Sequence, residues 1–120
     1  MVVAARSGEA LSRGGLGLHL FVVTPAEFKQ TLSYDAPPAE IATPLAALWW
    51  AARGDWDKAH TLVMNDDSRE AAWVHAYLHR VEGDLGNAAY WYRTAHRPMP
   101  GGALTDEWDG IVSGLGGPRS

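Results

Sequence analysis

Two histidines stand one helical turn apart in this chain, and a glutamate follows three residues later. These residues are His75, His79 and Glu82, and a helical period places all three along one side of a helix. Imidazoles and carboxylates bind divalent metals such as zinc, and the same groups transfer protons in acid–base catalysis. His60 lies on the stripe of the preceding predicted helix that must face this one, and it would supply a further ligand. The spacing therefore predicts a metal site or a proton-transfer site.

The same histidines also fit a purely structural role. The motif between His75 and His79 lacks the glutamate of the metalloprotease helix, and buried histidines are often hydrogen-bonded core residues. Three interpretations therefore stay open for this pair: metal ligands, acid–base or ligand contacts, and core side chains. Only the interpretation as metal ligands implies a cofactor, which would be a divalent metal such as zinc. The other two interpretations predict no cofactor.

A second candidate site is a strip of two aromatic residues and an arginine on the same predicted helix. Trp73, Tyr77 and Arg80 recur at helical spacing, and we call them the Trp73–Arg80 strip. Aromatic and arginine side chains are frequent anchors in protein interfaces. The strip predicts binding of a protein or peptide partner, or self-pairing in a homodimer. In the alternative, an N-terminal arm or the helix containing Trp108 covers the strip and makes it core.

The elements that must position these residues are helices joined by a repeated turn. Gly54-Asp55 and Gly83-Asp84 each follow an apolar helical pattern, so glycine ends one helix and aspartate caps the next. The pattern predicts helices over about 39–53, from 56 to a turn at 65–68, over 69–82 and over 85–95. Pro44 is tolerated near the start of the first of these helices.

Shorter helices are predicted at both ends of this unit. Thr24-Pro25-Ala26-Glu27 has the residue types of a capping box, which predicts a helix to about Leu32. A second cap at Thr105 predicts a last helix to about Leu115. The predicted organisation is a flexible or loosely packed arm over 1–23, one helical domain over 24–115 and a disordered tail over 116–120.

Composition excludes several classes of protein. The chain has 120 residues, 47% of them hydrophobic, which suits a single domain with one core. A formal net charge of −4 gives no basic surface for nucleic acid. Cysteine is absent, so disulfides and thiolate sites are excluded. The longest apolar run, over 16–23, is too short to span a membrane, and no secretory signal is recognisable. These features predict a cytoplasmic protein.

The residues after the second turn carry a resemblance to a known family. Gly83-Asp84-Leu85, followed by an apolar stripe that closes with a proline, resembles the second half of a tetratricopeptide repeat; the stripe residues are Ala88, Tyr92, Ala95 and Pro98. The likeness covers about Ile41 to Pro98, and the run over 72–84 also resembles a group of small bacterial and fungal proteins without assigned function.

The tetratricopeptide resemblance implies an all-α fold of two antiparallel helical hairpins. In such repeats the first helix lines a partner groove, which is where the Trp73–Arg80 strip would lie. The prediction is therefore a binding or scaffold module rather than an enzyme. The alternative is a small metal-binding or acid–base enzyme centred on His75, His79, Glu82 and His60.

Overall fold

The computed structural model describes residues 24–116, and over this range the chain forms helices and connecting turns with no strand. The helices are α1 (Pro25–Gln30), α2 (Thr43–Ala52), α3 (Trp56–Met64), α4 (Arg69–Val81), α5 (Leu85–Ala95) and α6 (Leu104–Gly116), and a 3-10 turn, Thr31–Ser33, follows α1. The predicted all-α class is confirmed. The predicted arm over 1–23 and all but the first residue of the predicted tail lie outside the described residues. None of the helices within 24–116 is long and apolar enough to cross a membrane.

The two Gly-Asp turns have the same backbone geometry. Gly54 and Gly83 adopt φ angles of 84° and 85°, a left-handed conformation that side chains with a Cβ disfavour. In each turn the aspartate N–H donates to the carbonyl five residues earlier at 2.9 Å, which completes a Schellman ending. Asp55 and Asp84 then accept hydrogen bonds from the first turns of α3 and α5. Each turn therefore directs the chain back along the helix that precedes it.

The helix boundaries agree with most of the predicted caps, but α2 and α6 begin elsewhere. Thr105 is not the cap of α6, because that helix already begins one residue earlier, at Leu104. Thr24 forms the predicted capping box at α1, and Ser68 caps α4. The predicted start of α2 near residue 39 is wrong, because the helix begins at Thr43. Pro44 has no N–H to donate and therefore belongs in the first turn, while Glu40 has a left-handed φ of 70° that no helix continues through.

Helix α4 is the central element of the described fold. It packs against α2, α3, α5 and α6, and eight of its residues are buried. The main core lies where α2, α4 and α6 meet, around Leu48, Trp49 and Trp108. The Trp108 indole N–H donates to the Leu48 carbonyl at 2.9 Å, and its ring stacks on Phe28 of α1. Helix α4 also carries the two groups that sequence analysis singled out, His75 with His79 and the Trp73–Arg80 strip.

Candidate metal centre

The structure brings the three predicted histidines together between α3 and α4. His60 on α3 and His75 on α4 have their Nε2 atoms 3.0 Å apart. One ring nitrogen from each of His60, His75 and His79 lies within 4.8 Å of the others. A tetrahedral zinc site has Zn–N bonds of about 2.0–2.1 Å, which places its nitrogens roughly 3.3 Å apart. Small side-chain movements would therefore be enough for these three nitrogens to bind one ion.

Glu82 orients the third histidine in the way that metal sites require. The Nδ1 atom of His79 lies 2.7 Å from Glu82 Oε2. When neutral His79 donates its Nδ1 proton to this carboxylate, its Nε2 lone pair becomes available as a ligand. Histidine ligands in metalloproteins commonly have such a carboxylate partner on the second nitrogen. Glu82 is thus placed to support His79 from behind rather than to bind the ion directly.

Hydrogen bonding within the protein does not fully account for His75. The side chain is only 5% exposed, and its Nδ1 atom is buried without a hydrogen-bond partner among the described residues. Its Nε2 atom faces His60, so one of these two imidazoles donates and the other accepts. Whichever tautomer is present, His75 keeps one unsatisfied nitrogen, which costs about 1–3 kcal/mol. Hydrogen bonds within the described residues therefore satisfy only one of the two ring nitrogens of His75.

Burial and the neighbouring imidazoles lower the pKa of His60 and of His75. Burial, followed by the nearby imidazoles of His60 and His79, lowers the pKa of His75 from 6.5 to about 4. Burial and His79 also lower the pKa of His60, although the carboxylates of Glu82 and Asp57 act in the opposite direction. Neutral imidazole is the form that binds a metal, so protons compete weakly for these two ligands at neutral pH.

Two tryptophans form the walls of this site. Trp56 on α3 stacks on His60 with ring centroids 4.7 Å apart, and Trp91 on α5 stacks on His75 at 4.0 Å. The Trp56 indole N–H also donates to the Leu78 carbonyl at 2.7 Å, which holds α3 against α4 beside the histidines. Sequence analysis did not assign either ring to the site. A usable signal was present in the sequence, since Trp91 and His75 lie at equal distances along the chain from Gly83. A chain reversal at that glycine brings the two residues opposite each other.

A second group of possible ligands is better explained by the turn between α4 and α5. Atoms of His79, Glu82 and Asp84 also lie within 4.8 Å of one another. Asp84, however, accepts hydrogen bonds from the backbone and side-chain amides of Asn87, and these bonds lower its pKa. Because both its oxygens serve as the cap of α5, Asp84 is not a ligand candidate.

The Trp73–Arg80 strip lies against α6. Tyr77 is 7% exposed, and burial raises the pKa of its hydroxyl to about 12. Arg80 donates to Glu107 of α6 at 2.7 Å and also to the Gly102 carbonyl. Trp73 is half-buried, and a Cβ added to Gly114 of α6 would stand 2.9 Å from its ring. This arrangement corresponds to the alternative in which the helix containing Trp108 covers the strip.

The least covered part of the strip is the indole of Trp73. The Arg97 guanidinium lies over this ring, 3.8 Å from its centroid. Both residues line an open cavity of about 510 Å³, which Pro98, Pro100 and Glu107 also border. Sequence analysis did not identify Arg97, because it follows α5 and shares no periodic pattern with Trp73.

Comparisons with known proteins add no family to these observations. No protein-family model matches the chain, and neither the curated proteins nor the solved structures gave a match. The function must therefore be argued from the geometry of the site.

Proposed function

We propose that this helical domain binds one divalent transition-metal ion through His60, His75 and His79, with Glu82 supporting His79. The observation that carries the proposal is the convergence of three imidazole nitrogens within 4.8 Å from two different helices. Three nitrogen donors without a thiolate suit zinc, copper, nickel or iron rather than calcium or magnesium, which prefer oxygen ligands. We take zinc as the reference metal for the tests.

The geometry supports metal binding better than it supports the other two interpretations of the histidines. As core residues they would need only the one hydrogen bond between His60 and His75, which gives no reason for a third imidazole nitrogen within 4.8 Å. In the acid–base interpretation, centred on His75, His79 and Glu82, His75 would have to change protonation near neutral pH, whereas its pKa lies at about 4. A metal ion instead uses neutral imidazoles, and burial favours that state at His60 and His75.

Zinc titration of the full chain, purified without a histidine tag and stripped with a chelator, tests the proposal. Isothermal calorimetry should give one zinc per chain. His60→Ala should weaken binding by at least about 100-fold, because loss of a ligand exceeds the 10–100-fold typical of an outer carboxylate. Glu82→Gln should fall within that 10–100-fold range. His60 is half-buried and the least buried of the three histidines, so its replacement perturbs the core least.

A matched control removes a histidine outside the cluster. His96 follows α5, is exposed and has a left-handed φ of 59°, which asparagine tolerates well. His96→Asn should bind zinc like the parent chain, and helical circular dichroism should be the same in all variants. Absence of zinc binding, or equal binding by His60→Ala, would refute the metal site and leave the histidines as core residues.

A partner-binding role is our second proposal, and it now centres on Trp73 and Arg97. The open cavity beside these two side chains supports it, since an indole and a guanidinium form a good anchor for a protein or peptide. Any partner that copurifies with the full chain should bind Arg97→Ala at least tenfold more weakly. Arg93→Ala, a change at an exposed position of α5, should bind normally. Equal binding by both variants would exclude this surface.

We also propose that the helix pairs α2–α3 and α4–α5 are two copies of an antiparallel hairpin similar to a tetratricopeptide repeat. Support comes from their turns, which share the left-handed glycine, the aspartate cap and the same backbone hydrogen bond. Under this proposal the metal site joins one hairpin to the next, because His60 belongs to the first copy and His75 to the second.

A further inference from the structure

The described part of the chain supplies too few donors to complete a four-coordinate ion at this site. Within residues 24–116, no fourth histidine, cysteine or carboxylate atom lies within 4.8 Å of the ligand atoms of His60, His75 and His79 together. Glu82 and Asp84 approach only His79 in this way. Three protein ligands and one position left for solvent or substrate are typical of catalytic rather than structural zinc sites.

The vacant side of the coordination sphere would face the partly exposed edge of the histidine cluster. His75 and His79 are buried at 5% and 7% exposure, whereas His60 is half-buried. Trp56 and Trp91 are also half-buried, and they stand on α3 and α5 with α4 between them. The side with the half-buried His60, Trp56 and Trp91 is therefore the one from which a small molecule would reach the ion.

Charge defines the kind of ligand that fits there. Three neutral imidazoles leave a divalent ion with its full charge, which the carboxylates of Glu82 and Asp57 offset only in part. One negative oxygen or nitrogen donor would complete the site, whereas a dianion would meet these carboxylates. The indole walls also favour weakly hydrated ligands over strongly hydrated ones, because few polar groups replace lost water.

Resting on the proposed metal function, we propose that the bound metal keeps one exchangeable position that takes water or a small monoanion. The site is then a ligand-binding metal centre rather than a closed structural clamp. Azide and thiocyanate are suitable probes, since each presents a single charge and a nitrogen donor. Sulfate at equal ionic strength is the matched control for non-specific salt effects.

Cobalt(II) substitution makes the fourth position visible. The full chain loaded with one Co²⁺ should show the intense visible bands of a four-coordinate ion. Titration with azide should shift these bands through isosbestic points to a saturated one-to-one complex, while sulfate should leave them unchanged. The Co²⁺ complex of His96→Asn should respond to azide like the parent chain.

The outcomes separate this inference from the function on which it rests. A Co²⁺ complex whose bands do not respond to either monoanion would overturn the exchangeable position and leave the metal site standing. His19 lies outside the described residues. An azide response that appears only in His19→Ala would also overturn the inference, because His19 would then occupy the fourth position. Failure to bind Co²⁺ and Zn²⁺ at all would remove the metal function itself.

Discussion

Replacing Glu107 by glutamine should loosen the contact between α6 and α4. The Glu107 side chain is 5% exposed and accepts a hydrogen bond from Arg80 at 2.7 Å, and Arg80 itself is 12% exposed. The Tyr92 hydroxyl donates to the other carboxylate oxygen, and burial together with this bond raises the pKa of Tyr92. Glutamine keeps the size and one acceptor oxygen. The substitution therefore mainly removes the charge that balances Arg80.

The size of the effect follows from the burial of the pair. Removing one partner of a buried ion pair typically costs about 3–5 kcal/mol, because the other charge stays in the protein uncompensated. Arg80 also donates to the Gly102 carbonyl and keeps some exposure, so the low end, about 3 kcal/mol, is expected. With a urea dependence of about 1–3 kcal/mol per molar, the midpoint of unfolding should fall by roughly 1–3 M.

Urea unfolding followed by circular dichroism measures this change. Asp106→Asn is the control, since it removes the same charge from an exposed neighbour in the first turn of α6. It should alter stability by no more than about 1 kcal/mol, the usual range for a charge near a helix N-terminus. If Glu107→Gln is as mild as Asp106→Asn, Arg80 is not held in a buried pair. Arg80 would then be free to bind a partner, as the sequence alone suggested.

Two further predictions concern packing and pH. Gly110 and Gly114 both lie in α6, so alanine should gain up to about 1 kcal/mol of helix propensity at each. At Gly110 an added Cβ meets nothing within 4 Å, whereas at Gly114 it would stand 2.9 Å from Trp73. Thermal melts should therefore show stabilisation by Gly110→Ala and destabilisation by Gly114→Ala. Equal shifts of the two melting temperatures would contradict this packing. The folded metal-free protein holds the His75 pKa at about 4, below the value of 6.5 expected when unfolded. Its neutral form therefore contributes stability above pH 6.5 that is lost as pH falls through 4, by at most about 3 kcal/mol. Urea midpoints across this range should fall less steeply for His75→Gln, and an unchanged slope would exclude His75 as the titrating group.

The sequence was sufficient to predict those features that depend on neighbouring residues. Helix starts at Thr24 and Ser68 follow from side chains that accept a hydrogen bond from the next turn. Chain reversals at Gly54 and Gly83 follow from the one residue type that adopts left-handed φ without strain. The approach of His60 to α4 also followed from a helical stripe, because the apolar residues beside it must face the preceding or following helix.

Features that depend on long-range packing could not be predicted in the same way. Glu107 reads as an acidic residue in the first turn of a helix, which is usually an exposed position. Its burial is decided by Arg80 and Tyr92, which belong to α4 and α5. The cover that α6 places over Tyr77 is likewise a property of how the last helix docks. Periodicity identifies the face that needs a partner, but it does not state which helix provides it.

The histidine cluster is hard to explain as a device for stability alone. An apolar side chain at position 75 would fill the same space without leaving a buried nitrogen unpaired, and it would not resist protonation at acidic pH. A bound ion changes this balance, since it takes the Nε2 lone pairs of both His60 and His75, which otherwise share one hydrogen bond. A metal present at 100 times its dissociation constant stabilises the folded state by about 2.7 kcal/mol. His60 lies on α3, whereas His75 and His79 lie on α4. The bound ion would therefore stabilise the contact between α3 and α4, which is the same contact that the buried, unpaired imidazole nitrogen destabilises.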